Sequence, residues 1–111
     1  MSSAAETYEQ AAIDHGKYMG KNPTACNRAH DRLHRALKEL RAQSDHGEAE
    51  LLGLVNHADD SVRGWAATHL LRLRPDIAIP VLEHIASGSG FTAFDALMVL
   101  KEWRAGRLKA E

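Results

Sequence analysis

Hydrophobic residues recur along this chain at the spacing of a helix. The stretch from Asp59 to Leu73 is the clearest case, because two acids and a serine precede an apolar pattern with steps of three and four. That pattern comprises Val62, Ala66, Leu70 and Leu73, with Ala67 and Leu71 beside them. We expect Asp60 or Ser61 to cap the first turn, where acidic groups also suit the positive end of the helix dipole. The two alanines would let a neighbouring helix approach closely.

The same spacing predicts six helices. No segment alternates between apolar and polar residues over a length that would predict a strand. The expected helices are about Ala4 to Met19, Pro23 to Gln43, Glu48 to Asn56, Asp59 to Leu73, Asp76 to Ala86 and Thr92 to Arg104. Ser3 with Glu6 forms a capping-box pattern, and Asn22 precedes a proline at the first helical position. Pro80 falls inside the fifth segment, where we expect a kink or a later helix start.

An internal repeat relates the third and fourth segments to the fifth and sixth. A shift of thirty residues places Leu52 on Leu82, Val55 on Ile85, Ala66 on Ala96, Leu70 on Leu100 and Leu73 on Trp103. Helix–turn–helix units of this length are what α-solenoids stack. We therefore expect one all-α domain over residues 1–111, with a long divergent helix pair at 1–43 and repeat units at 48–73 and 76–105.

Several short motifs carry a family resemblance. They are Leu51-Leu52, the run His57-Ala58-Asp59-Asp60-Ser61-Val62-Arg63, and Ala66-Ala67, joined by Asn27-Arg28, Glu39-Leu40-Arg41, Leu70-Leu71, Val81-Leu82-Glu83 and a closing Leu100 to Trp103 with Gly106. The central run resembles a HEAT-repeat unit, in which an Asp and an Arg brace the turn between paired helices. From Tyr8 to Leu108 the chain resembles a small bacterial HEAT-like family that carries a domain-of-unknown-function label.

This resemblance implies a HEAT-like helical-repeat (α-solenoid) bundle and a class of function. Small HEAT-like proteins of this sort are similar to immunity proteins of bacterial toxin systems, which bind and neutralise a cognate toxin. The resemblance implies no catalytic residue. It implies bracing roles for Asn27 and Arg63. We accordingly expect a non-enzymatic protein-binding module, with a general interaction scaffold or a small metal- or nucleic-acid-binding domain as alternatives.

Composition narrows these alternatives. A chain of 111 residues is long enough for one ordinary core. Its 14 Lys+Arg and 15 Asp+Glu give a net charge of −1, whereas nucleic-acid-binding domains are normally basic. Basic residues nevertheless outnumber acids between Lys101 and Lys109, so a local basic patch stays open.

Further sequence features indicate the compartment. Cys26 is the only cysteine, which excludes an intrachain disulfide and a thiolate zinc cage. The segment Met1–Gln10 lacks the basic start and apolar core of a signal peptide. The longest apolar run, around Ile77–Leu82, is far shorter than a membrane span. We expect a cytoplasmic protein with no membrane partner.

One helix face has the composition of a partner-binding surface. Trp65, His69 and Arg72 fall one turn apart on the fourth helix, and the repeat offset brings matching positions of the sixth helix beside them. Those positions are Asp95, Val99 and Glu102. Interfaces favour Trp and Arg at their centres, so we predict that this surface binds a protein. In the competing interpretation, Trp65 packs against the next helix and the charges are simply solvated.

Candidate chemistry elsewhere is weaker. Cys26, His30 and His34 stand four residues apart along one helix and could hold a soft metal ion, but a buried Cys with two flanking histidines explains them more simply. Ser61 or Ser87 lacks the nucleophile elbow of a hydrolase. We expect no catalytic residues, no metal and no cofactor.

Overall fold

Six α-helices make up the part of the chain that this computed structural model describes, residues 3–108. They are α1 (Ala4–Tyr18), α2 (Pro23–Arg41), α3 (Glu48–Leu54), α4 (Asp60–Leu70), α5 (Pro75–Ala86) and α6 (Phe91–Arg104). No strand occurs within residues 3–108. Lys109, at the end of the basic tail, lies outside the described residues. The all-α prediction is therefore confirmed, and no helix end lies more than three residues from the expected one.

Local signals account for most helix starts. Ser3 and Glu6 form the capping box at α1, with each side chain bonded to the other residue's backbone amide. The Asn22 side chain accepts a hydrogen bond from the Ala25 amide at the start of α2. α4 differs from expectation, because its cap is Asp59 rather than Asp60 or Ser61. The Asp59 carboxylate accepts from the amides of the second and third helical residues.

Arg63 braces the joint between α3 and α4. Its guanidinium Nη1 donates to the backbone carbonyls of His57, at 2.9 Å, and Ala58, at 3.2 Å. Nη2 pairs with the Asp60 carboxylate. One side chain thereby satisfies two carbonyls of the turn and ties them to the first two turns of the next helix.

Pro80 lies within α5 without delaying its start. The helix begins at Pro75, where the missing N–H is no loss, so the expectation of a later start was wrong. Pro80 itself is exposed and leaves the Asp76 carbonyl without its usual partner four residues on. α5 therefore continues through Pro80 with one backbone hydrogen bond fewer.

Packing places α4 at the centre of the fold. α1 pairs with α2, α3 precedes and packs on α4, and α5 packs on both α4 and α6, while α1 also crosses α4. Ala66 and Ala67 are fully buried, as a helix covered on several sides requires. The remaining core includes Tyr8, Ala11, Ala12, Leu33, Leu37, Leu40, Leu51, Val62, Leu70, Leu71, Leu82 and Leu100.

The radius of gyration is 13.0 Å, the value expected for about one hundred residues in a single domain. Across residues 3–108, every helix is too short or too polar to cross a lipid bilayer.

We predict that Asp59→Ala lowers the free energy of unfolding by about 1 kcal/mol, because two amides of the first turn of α4 lose their acceptor. Urea unfolding followed by circular dichroism measures this change. Asp59→Asn is the matched control, since its amide oxygen can still cap the helix. Equal stability of Asp59→Ala and Asp59→Asn would contradict the cap assignment.

Candidate binding site

Six aromatic rings gather where α1, α2 and α4 meet. This ring cluster consists of Tyr8, His15, His30, His34, Trp65 and His69. Trp65 is its centre: its ring stacks on His69 with centroids 5.5 Å apart and meets the edges of His15 at 5.2 Å and His34 at 5.7 Å. Four of the seven histidines of the chain thus share one location that the sequence did not reveal.

The innermost part of the ring cluster is a buried polar pair. Tyr8 Oη and His69 Nδ1 lie 2.6 Å apart, in hydrogen-bond contact, and both side chains are almost inaccessible to solvent. Burial raises the pKa of Tyr8 well above its ordinary value and lowers the pKa of His69 well below its own. The charge of Arg41 lowers the pKa of both groups. It thereby reinforces the neutral imidazole, whereas for the phenol it opposes the larger effect of burial. The fold therefore holds a neutral phenol against a neutral imidazole.

His15 and His30 are also held towards their neutral forms. Burial lowers the pKa of each, and the neighbouring histidines lower it further. Nδ1 of His15 is buried without a hydrogen-bond partner among the described residues. The Cys26 thiol points at the backbone carbonyl of His15, with 3.7 Å between sulfur and oxygen.

This arrangement does not assemble a metal centre. Within residues 3–108, no group of three His, Cys, Asp or Glu side chains is placed to hold a metal ion. The His34 ring engages the His30 carbonyl, with 3.0 Å between Nδ1 and oxygen. Cys26, His30 and His34 lie along one helix as the spacing predicted, but the thiol is directed to the α1 backbone.

A groove opens next to Trp65, between α4 and α6. This α4–α6 groove has a volume of about 210 Å³. Its walls are mostly apolar, with α5 and the end of α1 also contributing. Its lining is Met19, Ser61, Gly64, Trp65, Thr68, Leu82, Thr92, Asp95, Ala96, Met98 and Val99.

Asp95 is the charged group of this groove. Its pKa is raised, chiefly by burial of the carboxyl beside apolar groups and in spite of the opposing effect of His15. Among residues 3–108, no Lys or Arg forms an ion pair with it and no donor bonds to it. An apolar groove with one unpaired carboxylate is suited to an apolar group that carries a positive charge.

α6 presents large apolar side chains to solvent on its outer side. Phe91 is 62% exposed, Phe94 is 59% exposed and Leu97 is 52% exposed. We refer to these three residues as the α6 apolar stripe. The sequence did not single them out, because α6 is apolar on every side and its pattern does not distinguish the buried face. A helix with apolar residues on every side is expected to be covered on more than one of its faces, and this was the signal in the sequence for an apolar outer side.

The surface predicted from the sequence is only partly assembled. Trp65, Asp95 and Val99 line the same groove. His69 lies in the interior, 4% exposed, because α1 covers it. Arg72 and Glu102 do not belong to the groove lining. Arg72 is exposed just beyond the end of α4, and Glu102 forms an ion pair with Arg107 at 2.9 Å.

We predict that the protein loses stability as the pH falls below about 6.5. The folded pKa of His69 lies below that of the unfolded chain, so in the interval between them only the unfolded state takes up the proton. The loss reaches at most about 1.4 kcal/mol per pH unit for one such histidine. His15 and His30 act in the same direction, whereas Asp95, with its raised pKa, acts in the opposite direction at lower pH.

Urea unfolding between pH 7 and pH 5 measures this slope. His69→Gln should flatten it, and the exposed His84, changed to Gln, serves as the control that leaves it unchanged. If His69→Gln retained the full slope, the buried imidazole would not be the source.

Comparison with known proteins establishes the fold and nothing beyond it. No protein-family model matches the chain, and no curated protein matches it either. Among solved structures, the chain is similar to the crystal structure of the protein RPA1889 from the bacterium Rhodopseudomonas palustris CGA009, with a TM-score of 0.86 and 25% sequence identity. The likeness covers 97% of this chain and 91% of that one. The six-helix arrangement is thus one that a bacterial protein adopts in a crystal.

Proposed function

We propose that this chain is a non-enzymatic, cytoplasmic protein-binding module that contacts its partner through the outer side of α6. The observation that carries the proposal is the α6 apolar stripe. Its three large side chains, Phe91, Phe94 and Leu97, are each more than half exposed. Large apolar side chains that cluster on one exposed helix face are typical of protein-interaction sites.

Position along the helix makes these residues one surface. Steps of three residues keep Phe91, Phe94 and Leu97 on neighbouring positions of the same side of α6. Phe91 leans on the end of α1, since a Cβ added at Gly20 would lie 2.5 Å from its ring. The Phe91 end of the stripe is therefore packed against the turn that follows α1. Aromatic residues on a fixed surface are frequent anchors of protein interfaces.

The finer form of the proposal names the partner class. A HEAT-like arrangement of the helix pairs, with a toxin as partner, follows from the resemblance of the run from His57 to Arg63. The contacts of Arg63 with the carbonyls of the α3–α4 joint support that resemblance, since they are the bracing it implies. Burial supports the thirty-residue repeat as well, because both members of several aligned pairs lie in the core. Among these pairs are Ala66 with Ala96 and Leu70 with Leu100.

We predict that the tagged protein, purified from its own host, brings down one stoichiometric partner identifiable by mass spectrometry. On the immunity proposal, that partner is toxic when expressed alone and harmless when this chain is expressed with it. Recovery of the chain alone, from both growing and stationary cells, would contradict the binding proposal. A harmless partner would contradict the immunity proposal and leave the binding proposal standing.

We predict that Phe94→Ser with Leu97→Ser weakens this complex at least about tenfold, because truncating a central apolar anchor costs roughly 2 kcal/mol. Both side chains are exposed, so thermal unfolding should change little. Lys38→Ser with Glu39→Ser, on the exposed side of α2, is the matched control.

The same binding assay separates this surface from the one predicted by the sequence. Arg72→Glu and Glu102→Lys reverse two charges outside the α6 apolar stripe. If these changes weaken the complex and the double serine variant does not, the partner binds at the sequence-predicted surface instead. Isothermal titration calorimetry with the purified partner measures both.

A further inference from the structure

The α4–α6 groove has the size of a single side chain. Its volume of about 210 Å³ is somewhat larger than the roughly 150 Å³ of an engineered protein cavity that binds benzene. It is smaller than the roughly 300 to 1,000 Å³ of sites for drug-sized ligands and cofactors. One large apolar side chain therefore fills it, and a bulky cofactor does not fit.

The groove and the α6 apolar stripe adjoin one another around α6. In helical projection Asp95 and Met98, which line the groove, lie directly beside Phe91 and Phe94. Residues spaced three or four apart are neighbours on the helix surface. A segment that covers the stripe therefore passes the mouth of the groove.

Charge indicates which group should accompany the apolar one. The Asp95 carboxylate lies at the groove wall. His15 is the basic group whose charge acts on it, and no Lys or Arg of residues 3–108 forms an ion pair with it. Asp95 remains exposed to solvent, so a cation set against it would form a partly exposed ion pair of modest strength. The occupant is therefore expected to carry a positive charge next to its apolar group.

We propose that the α4–α6 groove is the anchor pocket for a segment of the partner protein, which inserts one large apolar side chain between α4 and α6 and sets a Lys or Arg against Asp95. This inference rests on the proposed function and adds to it the chemistry of the bound segment. Trp65 forms part of the pocket wall, and the histidines behind it hold its ring in place.

Gly64 offers a direct way to close the pocket. It lines the groove from α4, and a Cβ added there would meet only Ile85 Cδ1, at 3.8 Å, an ordinary contact. Gly64→Leu should therefore fold while its side chain occupies the groove. Gly64→Ala intrudes less and favours the helix more than glycine does. Gly53→Leu on α3 is the matched control, because nothing lies within 4 Å of a Cβ at that exposed position.

The first measurement is an NMR titration of the isotope-labelled full chain with 2-phenylethylammonium, a ring with one positive charge. We expect shifts confined to the amides of Gly64, Trp65, Asp95 and Val99, and binding about threefold tighter than for neutral 2-phenylethanol, as for a partly exposed ion pair. Asp95→Asn should abolish that preference, and Gly64→Leu should abolish binding, whereas Gly53→Leu should not.

Absence of groove shifts with both probes would overturn the inference. So would equal binding of the alcohol and the ammonium ion, because the proposed basic residue would then have no counterpart. Shifts retained in Gly64→Leu would show that the probe binds elsewhere.

The host partner distinguishes failure of this inference from failure of the proposed function. If Gly64→Leu keeps the partner at full affinity while the Phe94→Ser, Leu97→Ser variant loses it, the anchor pocket is wrong and protein binding stands. If sedimentation equilibrium shows a dimer that Gly64→Leu dissociates, the occupant is a second copy of the chain, which overturns the partner assignment. If no partner exists, both proposals fail.

Discussion

Enclosure of α4 is the constraint on which the rest of the structure depends. α1, α3, α5 and α6 pack on it, and α2 reaches it through the rings of His30 and His34. Its side chains must therefore be small, apolar or hydrogen-bonded within the protein. Ala66 and Ala67 meet the first two requirements. His69 meets the third, because Tyr8 of α1 supplies the hydrogen-bond contact that a buried imidazole needs. The crossing of α1 over α4 and the chemistry of the ring cluster are therefore consequences of the same burial.

The helices were largely predictable, because their signals are local. Ser3, Asn22 and Pro75 each act on the turn that follows them, and periodicity over a dozen residues is enough to define a helix. The cap of α4 was misjudged by one residue, since Asp59 and Asp60 are adjacent acids and the sequence does not say which has extended backbone. That distinction depends on how the joint with α3 is held.

The site was less predictable, because it depends on which helices meet. His15 and His30 are distant from Trp65 in the sequence, and only the pairing of α1 with α2 against α4 brings their rings together. The repeat offset placed Asp95 beside Trp65, and both line the α4–α6 groove. It also predicted that His69 lies at the surface. In the structure the crossing of α1 buries His69. A repeat pattern predicts which residues of the repeated units are neighbours. It does not predict how the divergent pair, α1 and α2, packs against those units.

The start of α6 has a consequence for the energetics of the chain. Gly90 precedes the helix with a φ of 91° and no side-chain cap, so the first amides of α6 have no side-chain acceptor. Local opening of this end should require less free energy than global unfolding, and its amides should exchange with solvent early. A molecule that covers Phe91 and Phe94 would close that opening, and the chain would be more rigid and more resistant to proteolysis in a complex than alone.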